Sequence, residues 1–178
     1  MTATVKQDRA FKAETAHKKS FVLLLAGILA IAVGFGATAG GIFGAWYTWD
    51  QAVAQNVVTP DDAAIPETPV RGPFTMWAQA DIITQHQLEG TDGLYYAEMD
   101  RVVPEVDANG EAVLDENGEA VMVPNEARSS WLNATTLTTA LSLGIMSYAL
   151  ATFAIVVGLT LIVVGYVFLH IRRKAVLL

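Results

Sequence analysis

The sequence predicts an all-α membrane protein, in which a two-helix transmembrane hairpin carries a small extracytoplasmic cap made of an amphipathic helix and a short β-meander. Two long stretches without Asp, Glu, Lys or Arg predict the helices. They cover residues 20–49 and 129–171, which is 30 and 43 residues, and about 20 apolar residues are enough to cross the hydrocarbon layer. The chain is 53% hydrophobic and only 16% charged. This balance excludes a soluble enzyme, a disordered chain and a basic nucleic-acid-binding protein.

The distribution of charge predicts the orientation of this hairpin. Of the 18 acidic residues, 16 lie between the two apolar stretches, so the central segment has a net charge of −13 while each terminal segment has +3. Because cytoplasmic segments are enriched in Lys and Arg, we expect both termini in the cytoplasm and the central segment outside the inner (plasma) membrane. The basic residues that decide this are Lys6, Arg9, Lys12, Lys18, Lys19, Arg172, Arg173 and Lys174.

These patterns divide the chain into five segments: a cytoplasmic basic tail at 1–20, transmembrane helix 1 at 21–49, the acidic cap at 50–128, a long helix containing transmembrane helix 2 at 129–170, and a second basic tail at 171–178. A cleaved signal peptide is the alternative for the first helix, because Ala37-Thr38-Ala39 has the small-x-small form of a cleavage site. The long basic region before it favours a retained helix.

Small residues form a strip on each predicted transmembrane helix, and we predict that both strips pack against helices. The first strip follows a doubled G-x-x-x-G pattern, which lets another helix approach closely. The second has a small residue at every seventh position, which makes a straight seam for helix contact. The two strips pack on each other, or one of them packs on a helix of another protein. Their members are Gly36, Gly40 and Gly44 in the first helix, with Gly41 and Ala45 alongside, and Gly144, Ala151, Gly158 and Gly165 in the second.

A run of helix-forming residues at 76–90 predicts the amphipathic helix of the cap. Thr75 has the residue type of an N-cap, and Gly90 has that of a C-terminal stop. A modest apolar face indicates either a helix on the membrane surface or one docked on a partner. Its members are Met76, Ala80, Ile83 and Gln87.

An eight-residue repeat predicts the β-meander. The sequence DANGEAV at 107–113 recurs as DENGEAV at 115–121. Asn-Gly is typical of a type I′ hairpin turn, in which both central residues have positive φ. We therefore expect three short strands at 102–106, 111–114 and 119–123, joined by two such turns.

Two groups of side chains in the cap have the character of metal ligands. His86 and Glu89 lie one helical turn apart, but a transition-metal site needs about three or more ligands, and no second His lies outside the apolar stretches and the tails. The other group approximates the spacing of an EF-hand calcium loop. Its members are Glu105, Asp107, Asn109 and Glu116. Glu at the first position and the Asn-Gly turns weaken that interpretation, so we predict no bound metal and no cofactor.

The residues at 72–101 and 132–142, GPFTMWAQADIITQHQLEGTDGLYYAEMDR and LNATTLTTALS, resemble a family of small actinobacterial two-span membrane proteins, which are often labelled aromatic ring-opening dioxygenases. The resemblance covers about residues 21–101 and 129–170. The segment 102–124 looks like an insertion outside the usual pattern of the family. The family resemblance implies an accessory subunit of the actinobacterial cytochrome bcc–aa3 respiratory supercomplex, with other membrane subunits as partners. It implies no catalytic residue, and a dioxygenase would need a metal site whose ligands this chain does not supply.

We therefore expect a non-catalytic accessory subunit of a multisubunit membrane complex, which is not an enzyme and binds neither nucleic acid nor a small-molecule substrate. The alternative is a membrane-anchored module that binds a cation or a partner outside the membrane. The two apolar stretches contain no Asp, Glu, Lys or Arg, whereas carriers, pumps and channels keep such groups in the membrane. Transport by this chain alone is therefore not expected.

Overall fold

The computed structural model describes the backbone of residues 2–176 and the side chains of residues 18 and 20–174. The side chains of Lys6, Arg9, Lys12 and Lys19, which contribute to the predicted orientation, lie outside the described residues. The elements in chain order are α1 (Thr2–Ala54), α2 (Pro73–Glu89), a 3-10 helix (Tyr96–Glu98), β1 (Val102–Pro104), β2 (Met122–Pro124) and α3 (Glu126–Val176). The chain divides into a helix-pair unit, Met1–Thr48 with Ser147–Leu178, and a central unit, Trp49–Met146.

Two long apolar helices, as predicted, dominate the structure. The segments Ser20–Ala54 of α1 and Glu126–Lys174 of α3 are long and apolar enough to cross a membrane. Each helix also extends beyond the predicted segments 21–49 and 129–170, because no Pro or Gly interrupts the flanking residues. Asn125 caps α3, since its side-chain oxygen accepts a 3.1 Å hydrogen bond from the backbone N–H of Arg128.

The N-terminus of α2 differs from the prediction, whereas its end agrees with it. The helix begins at Pro73 with Gly72 as its N-cap, so Thr75 lies inside the first turn. Its hydroxyl oxygen reaches back to accept hydrogen bonds from the backbone N–H groups of Arg71 (3.1 Å) and Gly72 (3.2 Å). Proline suits the first helical position because its fixed φ is helical and its missing N–H would be unpaired there. Gly90 ends the helix, and its N–H donates to the carbonyl of His86 at 3.0 Å.

A small core holds the central unit together. The buried apolar side chains come from the loop after α1, from α2 and from the first turns of α3; they are Ala63, Val70, Met76, Ala78, Ile82, Trp131 and Ala134. Of the predicted apolar face only Met76 is buried, and Ala80, Ile83 and Gln87 are half-buried. The other buried residues of α2 are Ala78 and Ile82. Both the loop and α3 contact α2, through Asp62 with His86 and through Gly144 with Met76.

Polar contacts order the loop at 55–71. Thr59 is buried, and its hydroxyl donates to the carbonyl of Ile65 at 2.5 Å and accepts from the N–H of Thr68 at 2.9 Å. Val58 and Pro69 form an isolated β-bridge on either side of this contact. The loop is therefore folded on itself around one threonine side chain.

The predicted three-strand meander is confirmed only in part, since consecutive segments are antiparallel neighbours but only two of them form strands. The first and third segments pair with each other as β1 and β2 in an antiparallel register, Val103 opposite Val123, and the middle segment forms only isolated bridges. Three backbone hydrogen bonds close a ring: Val113 donates to Glu105 (2.8 Å), Val121 to Val113 (2.8 Å), and Glu105 to Val121 (2.7 Å). These three residues are eight apart, so the repeat produces a three-sided ring in which all three segments are neighbours.

The predicted turn type is wrong. Gly110 and Gly118 have φ of 82°, but Asn109 and Asn117 are not among the residues with positive φ, so the turns are not type I′. The N–H of Gly110 donates to the carbonyl of Asp107 at 3.0 Å and the N–H of Asp107 donates to Glu111 at 2.8 Å. This is the three-residue loop that ends in a left-handed glycine bulge. The Asp107 carboxylate favours it by accepting from the N–H of Asn109 at 2.8 Å.

Replacing Gly110 tests this turn. We expect Gly110→Val to weaken the ring by about 1–2 kcal/mol, because a side chain is disfavoured in the left-handed region, and Gly110→Asn to be tolerated because Asn enters that region readily. Amide hydrogen exchange of Val113, whose N–H closes the ring, measures the local opening. Equal protection in the two variants would contradict the assignment of the turn.

Candidate helix-docking site

Small residues bring α1 and α3 into direct contact within the helix-pair unit. Along each helix the contacting residues recur every seven positions, and an advance of seven along α1 is matched by a retreat of seven along α3. The pairs are Gly27 with Gly165, Gly34 with Gly158, and Gly41 with Ala151. All six residues are buried. A seven-residue period keeps such contacts on one face of each helix, so a continuous seam forms.

The backbones touch along this seam. A Cβ at position 34 would lie 2.6 Å from the carbonyl oxygen of Gly158, and a Cβ at position 158 would lie 2.6 Å from that of Gly34. A Cβ at position 41 would lie 2.6 Å from the carbonyl oxygen of Ala151. Contacts this close leave no room for a side chain at these positions, so only glycine fits. They also place Cα–H groups against carbonyl oxygens, which adds weak hydrogen bonds to the van der Waals contact.

Polar side chains continue the same series at both ends of the seam. The hydroxyl groups of Thr48 and Ser147 share a hydrogen bond of 2.9 Å, and the Nε of Arg172 donates to the hydroxyl of Ser20 at 3.3 Å. Ser20 and Thr48 extend the seven-residue spacing of the α1 glycines, and Arg172 extends that of α3. Thr38 lies beside Gly158 and donates its hydroxyl to the carbonyl of Gly34 at 2.8 Å, so it is satisfied within its own helix.

The seam uses a different face of α1 from the predicted one. The α3 residues Ala151, Gly158 and Gly165 are in the contact, but their partners are Gly41, which was expected only beside the predicted strip, and Gly27 and Gly34, which were not predicted. The signal that identifies them is the seven-residue spacing already visible in α3. The spacing of four in Gly36, Gly40 and Gly44 obscures it, because six glycines share the stretch 27–44.

The G-x-x-x-G strip of α1 has no neighbour in the described part of the chain at two of its three positions. A Cβ at Gly36 or at Gly40 would meet nothing within 4 Å, and one at Gly44 would only reach the Cβ of Ala151 at 3.9 Å. Gly36 and Gly40 are exposed and Gly44 is half-buried. Since about 100° separates successive helical residues, this open glycine strip, Gly36 and Gly40 with Gly44 at its edge, faces away from the seam. That it packs on a helix stays a prediction.

Gly144, the first member of the predicted α3 series, contacts another element. Within the central unit the Sδ of Met76 lies 2.7 Å from where a Cβ on Gly144 would be. The small residue therefore makes room for a side chain of α2. The spacing of seven correctly predicted that Gly144 lies on a surface suited to close approach, but it did not specify which helix approaches.

His86, which has the character of a metal ligand, forms a hydrogen bond with a carboxylate of the loop. Its Nε2 lies 2.6 Å from Oδ2 of Asp62, and both side chains are about half exposed, at 48% and 52%. The hydrogen bond with Asp62 is the main cause that raises the pKa of His86, and the same bond lowers the pKa of Asp62. The contact connects the loop with α2, and Glu89 contributes only a weaker electrostatic effect on the pKa of His86.

The calcium-like residues lie in hairpins. Asp107 uses Oδ1 to accept the backbone N–H groups of Asn109 and Glu111, at 2.8 and 3.0 Å, and the N–H of Glu111 is the largest cause that lowers its pKa. The other residues with this spacing, Glu105, Asn109 and Glu116, lie in or beside the same ring. In the part of the chain that the structure describes, no three His, Cys, Asp or Glu side chains are grouped so that they could hold a metal ion.

The chain matches no known protein family, no curated protein and no solved structure.

Substitutions at two neighbouring glycines, Gly41 in the seam and Gly40 in the open glycine strip, distinguish the two surfaces. The chain has no cysteine, so Thr48→Cys with Ser147→Cys is a clean disulfide probe of the seam. In this background we expect Gly41→Leu to lower the oxidised yield about fivefold or more, because the side chain would meet the Ala151 backbone. Gly40→Leu is the matched control, since its position is open. Gel mobility without reductant measures the yield, and an unchanged yield in Gly41→Leu would refute the seam.

The contact of His86 with Asp62 predicts a pH window. The raised pKa of His86 means that its stabilising effect is complete below its unfolded value of 6.5 and is lost as the pH rises through the folded value. The lowered pKa of Asp62 means that its effect is present above 3.8 and is lost as the pH falls through its folded value. The loop is therefore held best between the two folded pKa values.

Titration of the His86 ring protons by NMR checks the cause. We expect an apparent pKa above 6.5 in the unmodified chain and a return toward that value in Asp62→Asn. Asp61→Asn removes the same charge one residue earlier and serves as the control for a general electrostatic effect. An equal shift in the two variants would contradict a specific contact.

Proposed function

We propose that the chain is a two-span membrane hairpin that serves as a non-catalytic accessory subunit of a multisubunit membrane complex. The observation that carries this proposal is the open glycine strip, Gly36 and Gly40 with Gly44 at its edge. The intramolecular seam of α1 and α3 does not use it, although it has the pattern that favours close helix approach. A second helix, supplied by another subunit, fits this strip.

The surface of the helix-pair unit supports insertion into a bilayer. Large apolar side chains are exposed along the described apolar parts of both helices in this unit, from Phe21 to Tyr47 and from Leu150 to Ile171, among them Leu29 (65%), Phe35 (61%), Phe153 (67%) and Val163 (61%). Water would not stabilise an apolar surface of this extent, whereas lipid chains would. The exposed rings of Trp46, Tyr47 and Trp49 at the end of the first apolar stretch suit the membrane interface.

The charge distribution supports an orientation with both termini in the cytoplasm. The basic terminal segments would stay on the cytoplasmic side, and the central segment with its net charge of −13 would lie outside. A surface with this charge attracts cationic partners at long range, with an association rate that falls as salt is added. The partner that the proposal requires therefore has a basic face outside the membrane and a helix inside it.

The identity of the complex rests on the family resemblance alone. The segments 72–101 and 132–142 resemble small actinobacterial membrane proteins, and this resemblance implies the cytochrome bcc–aa3 respiratory supercomplex. In its most specific form, the proposal is that the chain is an accessory subunit of that supercomplex. An accessory role in another membrane complex would leave the structural argument unchanged.

Co-purification tests the accessory role. We expect Gly40→Leu, introduced at the native locus, to reduce the amount of chain retained with its complex in mild detergent about tenfold or more, because the side chain fills the open glycine strip. Ala39→Leu is the matched control, since Ala39 is also exposed and points about 100° away from the strip. Quantitative mass spectrometry of the purified complex measures retention.

Each result has a distinct meaning. Undiminished retention of Gly40→Leu would contradict docking through this strip. Loss of both variants would indicate general damage to the helix, and the disulfide probe at positions 48 and 147 would then reveal it. Co-purifying subunits that carry no haem would refute the respiratory complex while leaving an accessory role in place.

A further inference from the structure

Within the central unit, α2 lies antiparallel to the first turns of α3. The side-chain amide of Gln87 near the end of α2 donates to the hydroxyl of Ser130 at 2.5 Å. At the other end of α2, the Sδ of Met76 packs against Gly144. An advance of 11 residues along α2 thus matches a retreat of 14 along α3. The sequence is compatible with a helix lying on the membrane surface, whereas the observed helix follows α3 and directs its first turn toward Gly144.

Two large aromatic side chains are exposed on this first turn. Phe74 is 77% exposed and Trp77 is 52% exposed, although Met76 between them is buried. Successive residues differ by about 100° around a helix, so the Met76 side that contacts α3 and the side with Phe74 and Trp77 face different directions. Adjacent exposed aromatic side chains of this size are suited to contact with a second apolar phase.

The exposed side of α2 changes from apolar to polar along its axis. Asp81 and Gln85 continue the line of Phe74 and Trp77 at helical spacing, and the Gln85 amide donates to the Asp81 carboxylate at 2.7 Å. A helix that docks on a protein through this side would carry an apolar stripe along its length. A change from apolar to polar side chains along the axis is expected for a helix of which only one end reaches the membrane interface.

The position of Gly144 on α3 agrees with such an interface. Gly144 lies within the stretch without Asp, Glu, Lys or Arg that ends before Arg172. Because a helix rises about 1.5 Å per residue, the 28 residue steps from Gly144 to Arg172 cover about 42 Å. The bilayer with its headgroups is about 40–45 Å thick. Counted along α3, Gly144 is therefore about one bilayer thickness from Arg172, and within the central unit the first turn of α2 packs on it through Met76.

We propose that Phe74 and Trp77 form an interfacial anchor, which inserts the first turn of α2 into the headgroup region of the outer leaflet. Aromatic rings are favoured at this depth because they combine a large apolar surface with tolerance of a polar environment. The anchor rests on the proposed membrane insertion and specifies its consequence for the central unit. The ligand class is the lipid surface itself, with no requirement for a particular headgroup.

Spin-label accessibility tests the anchor in the full chain. The absence of cysteine allows a single nitroxide at each site after Phe74→Cys, Gln85→Cys or Leu25→Cys, in vesicles of phosphatidylcholine and phosphatidylglycerol at 3:1. Relaxation by oxygen, which concentrates in lipid, is compared with relaxation by a water-soluble nickel chelate. We expect position 74 to have an accessibility intermediate between lipid and water, position 85 on the same side of α2 to be aqueous, and position 25, exposed on α1, to be lipidic.

The control sites distinguish the failure of the anchor from the failure of membrane insertion. Position 74 as aqueous as position 85, with position 25 in lipid, would overturn the anchor and leave the two-span proposal intact. An aqueous position 25 would overturn both. Low accessibility of position 74 to both reagents would mean that protein covers it, which also overturns the anchor. Trp77→Cys labelled in the same way must follow position 74 if the two residues insert together.

Discussion

Direct backbone contact between α1 and α3 is the constraint on which the helix-pair unit depends. Where lipid surrounds two helices, burial of apolar side chains against each other gains little, because the lipid chains are equally apolar. What remains is van der Waals contact at the shortest distance, and that distance requires the absence of side chains. At Gly34 and Gly158 each backbone occupies the space that a Cβ on the other would need. The seven-residue repetition of such positions turns one contact into a seam.

The same constraint separates two surfaces of α1 that look alike in the sequence. Gly40 and Gly41 are neighbours, yet a Cβ on one would meet nothing within 4 Å and on the other would collide with the Ala151 backbone. The glycine at 41 is explained by packing inside the chain, whereas the glycine at 40 has no intramolecular explanation in the described residues. This difference is the reason for proposing a second helix as a partner, since an open glycine face allows a helix backbone to approach closely and make van der Waals contact.

The central unit depends on polar contacts more than on a large core. Thr59 organises the loop through its hydroxyl, Asn125 caps α3, and the indole N–H of Trp131 donates to the carbonyl of Leu94 at 3.0 Å while its ring stacks on Tyr95. The Arg128 guanidinium lies 3.8 Å from the centre of the Tyr96 ring, so a cation–π contact adds to this cluster. In a segment with few buried apolar residues, hydrogen bonds determine the path of the chain, and the ring at 102–124 is the clearest case.

Composition and periodicity by themselves determined the two long apolar helices, the end of α2 at Gly90 and the small-residue series Ala151, Gly158 and Gly165, because these depend on the chain's own covalent pattern. Tertiary structure alone decided that Gly27, Gly34 and Gly41 rather than Gly36, Gly40 and Gly44 complete the seam, that Gly144 receives Met76, and that the eight-residue repeat closes into a ring. Each of these depends on which of several compatible surfaces come together. A helix with glycine on two faces presents two such surfaces, and only the position of the neighbouring helix distinguishes them.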